Sequence, residues 1–449
     1  MTAHYADKNR YKAKKEKRRV VITGVGAVTP LGNDIESSWQ NLIKGKSGIA
    51  PITLFDASNY PVNIAAEVKN FHLDTAVPEE FKPFLGRSTS FCIKAAEEAV
   101  KNADLNLDLI DTSDIGISIG SDEESANFSL FEKMFENADI LELLLARKSA
   151  NGDSHSFPHL DTSKHLGKIW PLRRSANIAA SMLSILQNIQ GPIRTTSSAC
   201  ASSAQAIGKA VRMIQDSDAE VMLTGGCDSM IGEFSLTGFT KIRALSKNND
   251  NPEGASRPFD MKRDGFVLGE GSGILILEEL SHAQKRCAKI LGEITGYGSS
   301  SNAYKLTATP EDGHGPDIAM KAAIDDADCD IDEVDYINAH GTSTYLNDKS
   351  ETAAIKNVFH DRAYQIPVSS NKSMMGHLVA SAAAIELILS TLSLNSDLIP
   401  PTINYENPDP ECDLDYVPNE SRNKRVETIL SNSFAFGGQN ASILVKKFQ

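Results

Sequence analysis

Three side chains with reactive chemistry lie in stretches of small residues, and the first is Cys200. It stands in Thr-Thr-Ser-Ser-Ala-Cys-Ala-Ser-Ser-Ala, where a short strand is predicted to give way to a helix. Unpaired backbone N–H groups and the positive end of the helix dipole favour a thiolate at such a position. A thiolate is a nucleophile, so Cys200 is a candidate for covalent catalysis, with a structural cysteine as the alternative that spacing leaves open.

The other two are histidines, and both stand in small loops near predicted strands. His340 lies in Asn-Ala-His-Gly-Thr-Ser-Thr, and His377 ends Asn-Lys-Ser-Met-Met-Gly-His. Loops at the carboxyl ends of strands are where α/β proteins place functional groups. One cysteine with two imidazoles indicates acyl chemistry, in which the imidazoles activate, donate hydrogen bonds or stabilise an enolate. Zinc binding is the rival, which we disfavour because the three residues are distant in sequence and no two are closely spaced.

Strands and helices alternate along the chain, which predicts an α/β fold with sheets covered by helices. The predicted strands are residues 20–23, 115–119, 221–224, 273–277, 289–295, 334–338 and 443–446. The predicted helices are residues 34–44, 91–101, 201–215, 316–327, 348–359 and 379–393.

The glycine-rich run after the first strand, residues 24–32, invites comparison with a dinucleotide-binding loop. Thr29 replaces the third glycine of that fingerprint, and no acidic residue ends a strand about 20 positions later. We therefore predict a structural turn.

A faint internal duplication relates the two reactive regions. Residues 195–199 lead into Cys200 and an Ala/Ser-rich helix, and residues 368–370 lead into Lys372, His377 and a second such helix. Helices of small residues pack closely on all sides, so both are predicted to be buried and central. Two similar halves would bring Cys200 and His377 together across a pseudo-twofold axis. We divide the chain into a basic disordered arm (1–18), a half carrying the cysteine (19–280) and a half carrying the histidines (281–449).

Composition excludes several classes of protein. The 449 residues are 41% hydrophobic and carry a formal net charge of −14. The first 19 residues hold eight Lys or Arg, so the remainder carries about −20 and is unsuited to non-specific nucleic-acid binding. The apolar runs fall short of the roughly 20 residues that a membrane span needs. Six scattered cysteines without a Cys-x-x-Cys pair, and no secretory signal, predict a reducing cytoplasmic location.

Taken together, the motifs resemble the β-ketoacyl-[acyl-carrier-protein] synthases, the elongating condensing enzymes with a thiolase-like fold. The resemblance runs from about Arg19 to the C-terminus. It rests on Ser-Ala-Cys-Ala-Ser at Cys200, Arg-Pro-Phe-Asp-x-x-Arg-Asp-Gly-Phe at 257–266, Gly-Glu-Gly-Ser-Gly at 269–273, His-Gly-Thr-Ser-Thr from His340, Lys-Ser-x-x-Gly-His ending at His377, and Asn-Ser-Phe-x-Phe-Gly-Gly from Asn432. The family fold has five layers, αβαβα, built from two duplicated halves.

The resemblance implies a decarboxylative condensation of malonyl-carrier protein with an acyl chain held on Cys200. His340 and His377 would stabilise the enolate, and Lys372 would supply fixed positive charge, with Asp348 and Glu351 as its polar partners. No cofactor is implied, because phosphopantetheine arrives on the carrier protein.

The resemblance also assigns supporting residues. Phe436 matches the family's gate residue, and Gly437 and Gly438 would make the gate mobile. The backbone N–H groups of Phe436 and Cys200 would together bind the oxyanion. A monovalent-cation site of some relatives maps onto four further positions: Asn338, Glu386, Ser431 and Asn432. The acidic acyl carrier protein would meet a basic patch at Lys241 and Arg243, with Lys82 and Arg87 as further candidates for which an ordinary solvated face is an equal explanation. The family implies a homodimer.

The chain departs from the family pattern at Tyr345, Met375, Ala435 and Gln439, and in the polar stretch 123–168, which falls where relatives shape the acyl pocket. Ala435 is expected to stiffen the gate loop. The changes favour a specialised synthase, and acyl length and pathway stay open. Other readings are a decarboxylase or acyltransferase of the same fold, and a non-catalytic chain-length partner in a heterodimer. Retention of Cys200 argues against a pure decarboxylase, and retention of Cys200, His340, Lys372 and His377 argues against a non-catalytic partner. The missing second cysteine argues against a degradative thiolase.

Overall fold

The structure is a computed structural model that describes residues 17–122 and 173–449. Most of the predicted arm and all of the polar stretch 123–168 lie outside these ranges. Lys17 Nζ lies 2.8 Å from Asp326 Oδ1, and Arg18 Nη2 lies 2.5 Å from Glu220 Oε2. These two residues are thus attached to the folded body, although the sequence prediction placed them in the disordered arm.

Each half of the chain contributes five strands to one large sheet. The strands of the first half are β1 (Val20–Val28), β4 (Ile115–Ser121), β5 (Ile193–Thr196), β6 (Val221–Ser229) and β7 (Glu270–Glu279). The strands of the second half are β8 (Gly292–Ser301), β9 (Tyr336–Asn338), β10 (Val368–Ser369), β13 (Thr428–Phe434) and β14 (Gln439–Lys446). Two short pairs stand apart from this sheet: β2 (Ala50–Pro51) with β3 (Ile64–Ala65), and β11 (Leu398–Ile399) with β12 (Arg422–Asn423).

The strand order shows the duplication directly. It is β5-β4-β6-β7-β1 in the first half and β10-β9-β13-β14-β8 in the second. When the strands are numbered along the chain within each half, their spatial order in both halves is third, second, fourth, fifth, first. The strand pairs that are parallel in one half are parallel in the other, and the same holds for the antiparallel pairs. The halves join where β1 pairs antiparallel with β8, with Val20 opposite Ile294.

Helices cover these strands on both sides. The helices of the first half are α1 (Ile35–Leu42), α2 (Arg87–Asn102), α3 (Ile178–Leu186), α4 (Ser202–Gln215) and α5 (Glu233–Lys241). Those of the second half are α6 (Leu280–Lys285), α7 (Pro316–Asp326), α8 (Tyr345–Phe359), α9 (Lys372–Met375) and α10 (Ala382–Ser396). Helices α4 and α10 contact each other and strands of both halves, α2 packs on strands of the first half, and α7 packs on strands of the second. The predicted α/β class and five-layer, duplicated fold are confirmed.

The first strand continues through the glycines that the sequence predicts to form a turn. A Cβ on Gly24 would lie 2.3 Å from the carbonyl oxygen of Ala99, and one on Gly26 would lie 2.2 Å from that of Ala95. The glycines therefore allow α2 to lie directly on β1, a close packing that larger residues forbid. The turn prediction is wrong for residues 24–28, and the chain turns later, where Thr29 N–H donates to the Gly32 carbonyl at 2.8 Å.

The central helix of the second half begins with a 3₁₀ turn, Val379–Ser381, and continues as α10. The stretch Val379–Ser396 is long and apolar enough to cross a membrane, but 83% of it is buried inside the protein. Burial on all sides by sheet and helix explains its apolar character.

Candidate active site

Cys200 lies at the start of the central helix of the first half. A 3₁₀ turn, Ala199–Ala201, follows β5 and runs directly into α4. Ala199 has a φ of 48°, in the left-handed region that costs a non-glycine residue free energy. This sharp elbow sets the buried Cys200 thiol at the N-terminus of α4, where backbone N–H groups are unpaired.

His377 is the nearest reactive neighbour of the thiol. Its Nε2 lies 3.0 Å from Cys200 Sγ, and the backbone N–H of Val379 donates to its Nδ1 at 3.3 Å. Because Nδ1 accepts this bond, the ring proton is held on Nε2, which faces the cavity. The His340 ring lies 5.3 Å from the His377 ring, nearly perpendicular to it.

The fold thus assembles the three residues that the sequence singled out. One ligand atom from each of Cys200, His340 and His377 lies within 4.8 Å of the others. The distance between these residues along the chain is therefore not a valid argument against zinc, because folding brings their side chains together.

Burial and one fixed charge control protonation in this cluster. Burial raises the pKa of the Cys200 thiol to about 12, against the opposing pull of the Lys372 charge and the Phe436 backbone N–H. Burial, followed by the Lys372 charge, also lowers the pKa of His340 and of His377 well below the usual value. At neutral pH both imidazoles are neutral and can donate hydrogen bonds without carrying a charge.

The counter-ion of Lys372 differs from the prediction. Lys372 Nζ lies 2.5 Å from Glu386 Oε1, and both side chains are buried. Asp348 instead accepts from the Phe259 backbone N–H at 2.8 Å and lies 3.6 Å from Arg263. Asp348 is therefore not a partner of Lys372, because the motif at residues 257–266 already occupies its carboxylate.

Glu351 supports His340 rather than pairing directly with the lysine. Its two carboxylate oxygens accept the backbone N–H groups of His340 and Gly341, each at 2.8 Å. Burial raises the pKa of Glu351 to about 7, although both N–H bonds and the Lys372 charge oppose the rise. The carboxyl fixes the loop that carries His340.

The proposed gate residues close one side of the cluster. Phe436 is partly buried, and its backbone N–H points at the Cys200 thiol. Gly437 and Gly438 have φ values of 83° and 78°, which favour glycine at both positions. The Ala435 N–H donates to the Gln439 carbonyl at 2.8 Å, so two of the departures from the family pattern bond to each other.

The residues predicted to bind a monovalent cation are only partly brought together. Asn338 donates to Ser431 Oγ at 3.1 Å, and its side chain faces the Glu386 carboxyl. The side-chain oxygen of Asn432 instead accepts the Ser442 hydroxyl at 2.8 Å. Asn371 takes the place of Asn432 as the fourth residue of this cluster, since it donates to Asn338 Oδ1 at 3.1 Å.

Unpaired oxygens support a cation at this cluster. Among the described residues, Glu386 Oε2 and Asn371 Oδ1 are buried and have no hydrogen-bond partner. A buried oxygen without a partner is costly, and a bound cation would satisfy it. The cluster therefore fits a monovalent cation, which Asn338, Asn371 and Glu386 would hold.

A cavity of about 160 Å³ opens on the three reactive residues. Its apolar wall includes Met230, Phe239, Phe266, Val379 and Phe436. Its polar lining includes Asp122, Thr307, Thr309, Thr342, Thr344 and Asn347. Thr342 and Thr344 belong to the recognised motif, but Asp122, Thr307 and Thr309 were missed because they stand in loops or strand ends without a spacing signal.

The surface residues proposed for carrier-protein contact divide into two groups. Lys241 and Arg243, at the end of α5 and just beyond it, are exposed. Arg87 is engaged elsewhere, with Nη2 lying 2.6 Å from Glu270 Oε1, which lies on the buried strand β7. Lys82 is paired with Glu79. The Glu270 carboxylate thus holds the Arg87 guanidinium, and contact of Arg87 or Lys82 with a carrier protein stays a prediction.

Comparison with known proteins identifies the family of the chain. The family model for the β-ketoacyl synthase N-terminal domain matches residues 17–283, and the model for the C-terminal domain matches residues 291–406. The 3-oxoacyl-[acyl-carrier-protein] synthase 2 of Synechocystis sp. is 42% identical over 437 residues, which cover 97% of this chain and 100% of the relative.

Solved structures of ketosynthases also match this chain. A β-ketoacyl synthase from Burkholderia phymatum STM815 superposes with a TM-score of 0.82 at 31% identity, covering 96% of this chain and 100% of that one. A type II polyketide ketosynthase, solved in complex with its acyl-carrier protein and bound to the hexaketide, has a TM-score of 0.81 at 32% identity, covering 97% of this chain and 100% of that one. With its reactive cluster, its duplicated sheet and these matches, the chain belongs to the β-ketoacyl synthase family.

Proposed function

We infer that this chain is an elongating β-ketoacyl-[acyl-carrier-protein] synthase. It condenses malonyl-carrier protein with an acyl chain bound to Cys200, giving β-ketoacyl-carrier protein and CO2. One observation supports this most strongly: Cys200 Sγ lies 3.0 Å from His377 Nε2 at the N-terminus of a buried helix. His340 completes the cluster.

The first half-reaction transfers the acyl group. The Cys200 sulfur attacks the thioester carbonyl of acyl-carrier protein, and the departing phosphopantetheine sulfur takes up the proton that the thiol releases. The Lys372 charge and the Phe436 N–H favour the thiolate, opposing the burial that raises its pKa. The carbonyl oxygen, negative in the tetrahedral intermediate, accepts the backbone N–H groups of Cys200 and Phe436.

The second half-reaction uses the imidazoles. The thioester oxygen of malonyl-carrier protein accepts hydrogen bonds from His340 and His377, so the electron pair left by departing CO2 forms an enolate. The enolate carbon attacks the acyl carbonyl on Cys200, a carbon–carbon bond forms, and the cysteine sulfur leaves. A proton from solvent restores the thiol. No cofactor is needed, since phosphopantetheine is part of the substrate.

Partners and location complete the proposal. The acidic acyl carrier protein docks on the exposed bases Lys241 and Arg243, because opposite charges steer association. Two copies pair through β5, whose Ile193 is exposed at the edge of the ten-stranded sheet. The protein works in the cytoplasm, in fatty-acid synthesis or a related polyketide-like pathway, without contacting nucleic acid or membrane.

The test is a product assay with acyl-carrier proteins of several chain lengths and malonyl-carrier protein. Wild type should release CO2 and a β-ketoacyl product in equal amounts, and Cys200→Ala should form no β-ketoacyl product. If wild type forms none with any primer, the chain does not condense alone, and a chain-length partner subunit replaces the proposed function.

A further inference from the structure

A second elbow in the fold mirrors the one that carries the nucleophile. The 3₁₀ turn Val379–Ser381 leads into α10 as Ala199–Ala201 leads into α4. Val379 has a φ of 44° and Ala199 a φ of 48°. A β-branched residue in this region is strained, so the surrounding structure must hold it there.

The duplication therefore pairs Cys200 with Ala380, each the residue after the strained one. In the first elbow, the N–H groups of Cys200 and Phe436 point at the Cys200 sulfur. In the second elbow, the Ala380 N–H donates to Asp228 Oδ2 at 2.8 Å, and the Ser229 N–H faces the same carboxyl, whose Oδ1 has no hydrogen-bond partner among the described residues. Ser229 ends β6, the fourth strand of its half, and Phe436 follows β13, the fourth strand of the other half.

We propose that Asp228 is a positioning residue, whose carboxyl accepts the Ala380 N–H, fixes the Val379–Ala380 backbone and so keeps the His377 ring proton facing Cys200. The proposal rests on the proposed function for its kinetic effect. Nothing in the condensation itself requires a carboxyl at this position.

The contacts form one continuous path. Asp228 Oδ2 accepts the Ala380 N–H at 2.8 Å. One residue earlier, the Val379 N–H donates to His377 Nδ1 at 3.3 Å, and His377 Nε2 lies 3.0 Å from Cys200 Sγ. Val379 joins the peptide that donates to Nδ1 and the peptide that donates to Asp228, and its positive φ sets the angle between them. If that φ relaxes once the Ala380 N–H loses its acceptor, the Val379 N–H turns away from Nδ1 and the ring proton is free to move from Nε2 to Nδ1.

The carboxyl acts as a neutral hydrogen-bonding group. Asp228 is almost fully buried, and burial, with the nearby Asp122 carboxyl, raises its pKa well above the usual value. Asparagine has nearly the same shape and retains an acceptor oxygen, whereas alanine has none. Asp228→Asn should therefore preserve the function, and Asp228→Ala should remove it.

The experiment compares these two variants with a matched control, Asp335→Ala. Asp335 also accepts backbone N–H groups, those of Glu427 and Thr428, but at the end of β9 opposite His340. We expect Asp228→Ala to lower kcat for condensation at least about tenfold with KM for malonyl-carrier protein within about twofold, because only the donor geometry changes. Asp228→Asn should keep kcat within about threefold of wild type, and Asp335→Ala should lower the Tm but not kcat.

The 15N chemical shifts of the His377 ring provide a readout that needs no substrate. Wild type and Asp228→Asn should show an unprotonated Nδ1, and Asp228→Ala should show the two tautomers mixed, with His377→Gln identifying the signal. If Asp228→Ala does not fold, Asp228→Val, which fills more of the space but has no acceptor, should shift the tautomers in the same direction. An unprotonated Nδ1 and wild-type kcat in the alanine or valine variant would overturn the proposal, as would an asparagine variant as impaired as alanine. Absence of wild-type condensation would refute the proposed function, and the ring shifts would still decide the role of Asp228.

Discussion

Lys372 is one half of a buried ion pair and, in the proposed mechanism, also the fixed charge of the site. Its ammonium group pairs with Glu386, and its charge acts on the Cys200 thiol and both imidazoles. A buried ion pair adds little stability compared with apolar residues, but removing one partner leaves an unpaired charge. The two roles can therefore be separated by removing one partner or both.

Lys372→Met should lower the free energy of unfolding by about 3–5 kcal/mol and abolish condensation, because Glu386 is left buried without its counter-charge. Lys372→Met/Glu386→Gln should recover most of that stability and none of the activity. Chemical denaturation and the condensation assay measure the two effects. An active double variant would show that the lysine charge is not needed.

The pH profile reports the protonation of the imidazoles. Burial and the Lys372 charge lower the pKa of His340 and of His377, so each ring gains its charge only well below pH 6.5. As pH falls through 6.5, both rings should stay neutral, and kcat should show no loss with a midpoint there. We would measure kcat between pH 7.5 and 5.5. A decline centred on pH 6.5, at which free histidine titrates, would contradict this assignment.

At the scale of elements, the packing of α2 on β1 depends on the absence of side chains at two glycines. Gly26→Ala should destabilise the protein by a few kcal/mol, because its Cβ would meet the Ala95 backbone oxygen at 2.2 Å and neither element can move away freely. Gly238→Ala is the matched control within α5, where a Cβ would meet nothing within 4 Å. It should be neutral or stabilising by up to about 1 kcal/mol. Equal Tm values for the two variants would refute the packing account.

Sequence periodicity predicted the centres of most described elements but not their ends. Residues 24–28 were assigned to a turn because glycine usually interrupts strands, and only the partner helix explains why glycine is required there. The helix predicted at 379–393 begins with a 3₁₀ turn because Val379 has a positive φ, which residue type alone does not signal.

The sequence motifs predicted the reactive residues of the site but not the buried residues that support them. Cys200, His340, His377 and Lys372 were identified because their loops carry recognisable patterns, and the structure brings them into one cluster. Glu386 as the partner of Lys372 was missed, since two residues 14 positions apart on separate helices carry no pairing signal in sequence. Asp228 was missed for the same reason, because its role depends on a contact with the other half.

At the scale of the whole molecule, a net charge of −14 requires a local basic surface for an acidic partner. Lys241→Glu/Arg243→Glu should raise KM for malonyl-carrier protein about three- to tenfold at low salt and leave kcat unchanged, since the site itself is untouched. Lys285→Glu, an exposed lysine on α6 beyond the opposite end of β7 from the cavity, is the control and should change neither constant. If all variants share the wild-type KM, the carrier protein docks elsewhere.

The duplicated fold accounts for how one chain places a nucleophile and two imidazoles together. Each half supplies an elbow leading into a central helix, and the two elbows meet beneath the cavity. The first half contributes Cys200, and the second contributes His340, His377 and the Phe436 N–H. The chemistry therefore depends on the junction of the halves rather than on either half alone.

The central claim is that this chain, by itself, carries an acyl group on Cys200. Intact-mass measurement after incubation with acyl-carrier proteins of graded chain length tests it most directly, with Cys200→Ala as the control. We predict that wild type gains the mass of one acyl group and loses it when malonyl-carrier protein is added, while the variant gains nothing. Wild type that stays unmodified with every primer, or a Cys200→Ala variant that still becomes acylated, would contradict the account.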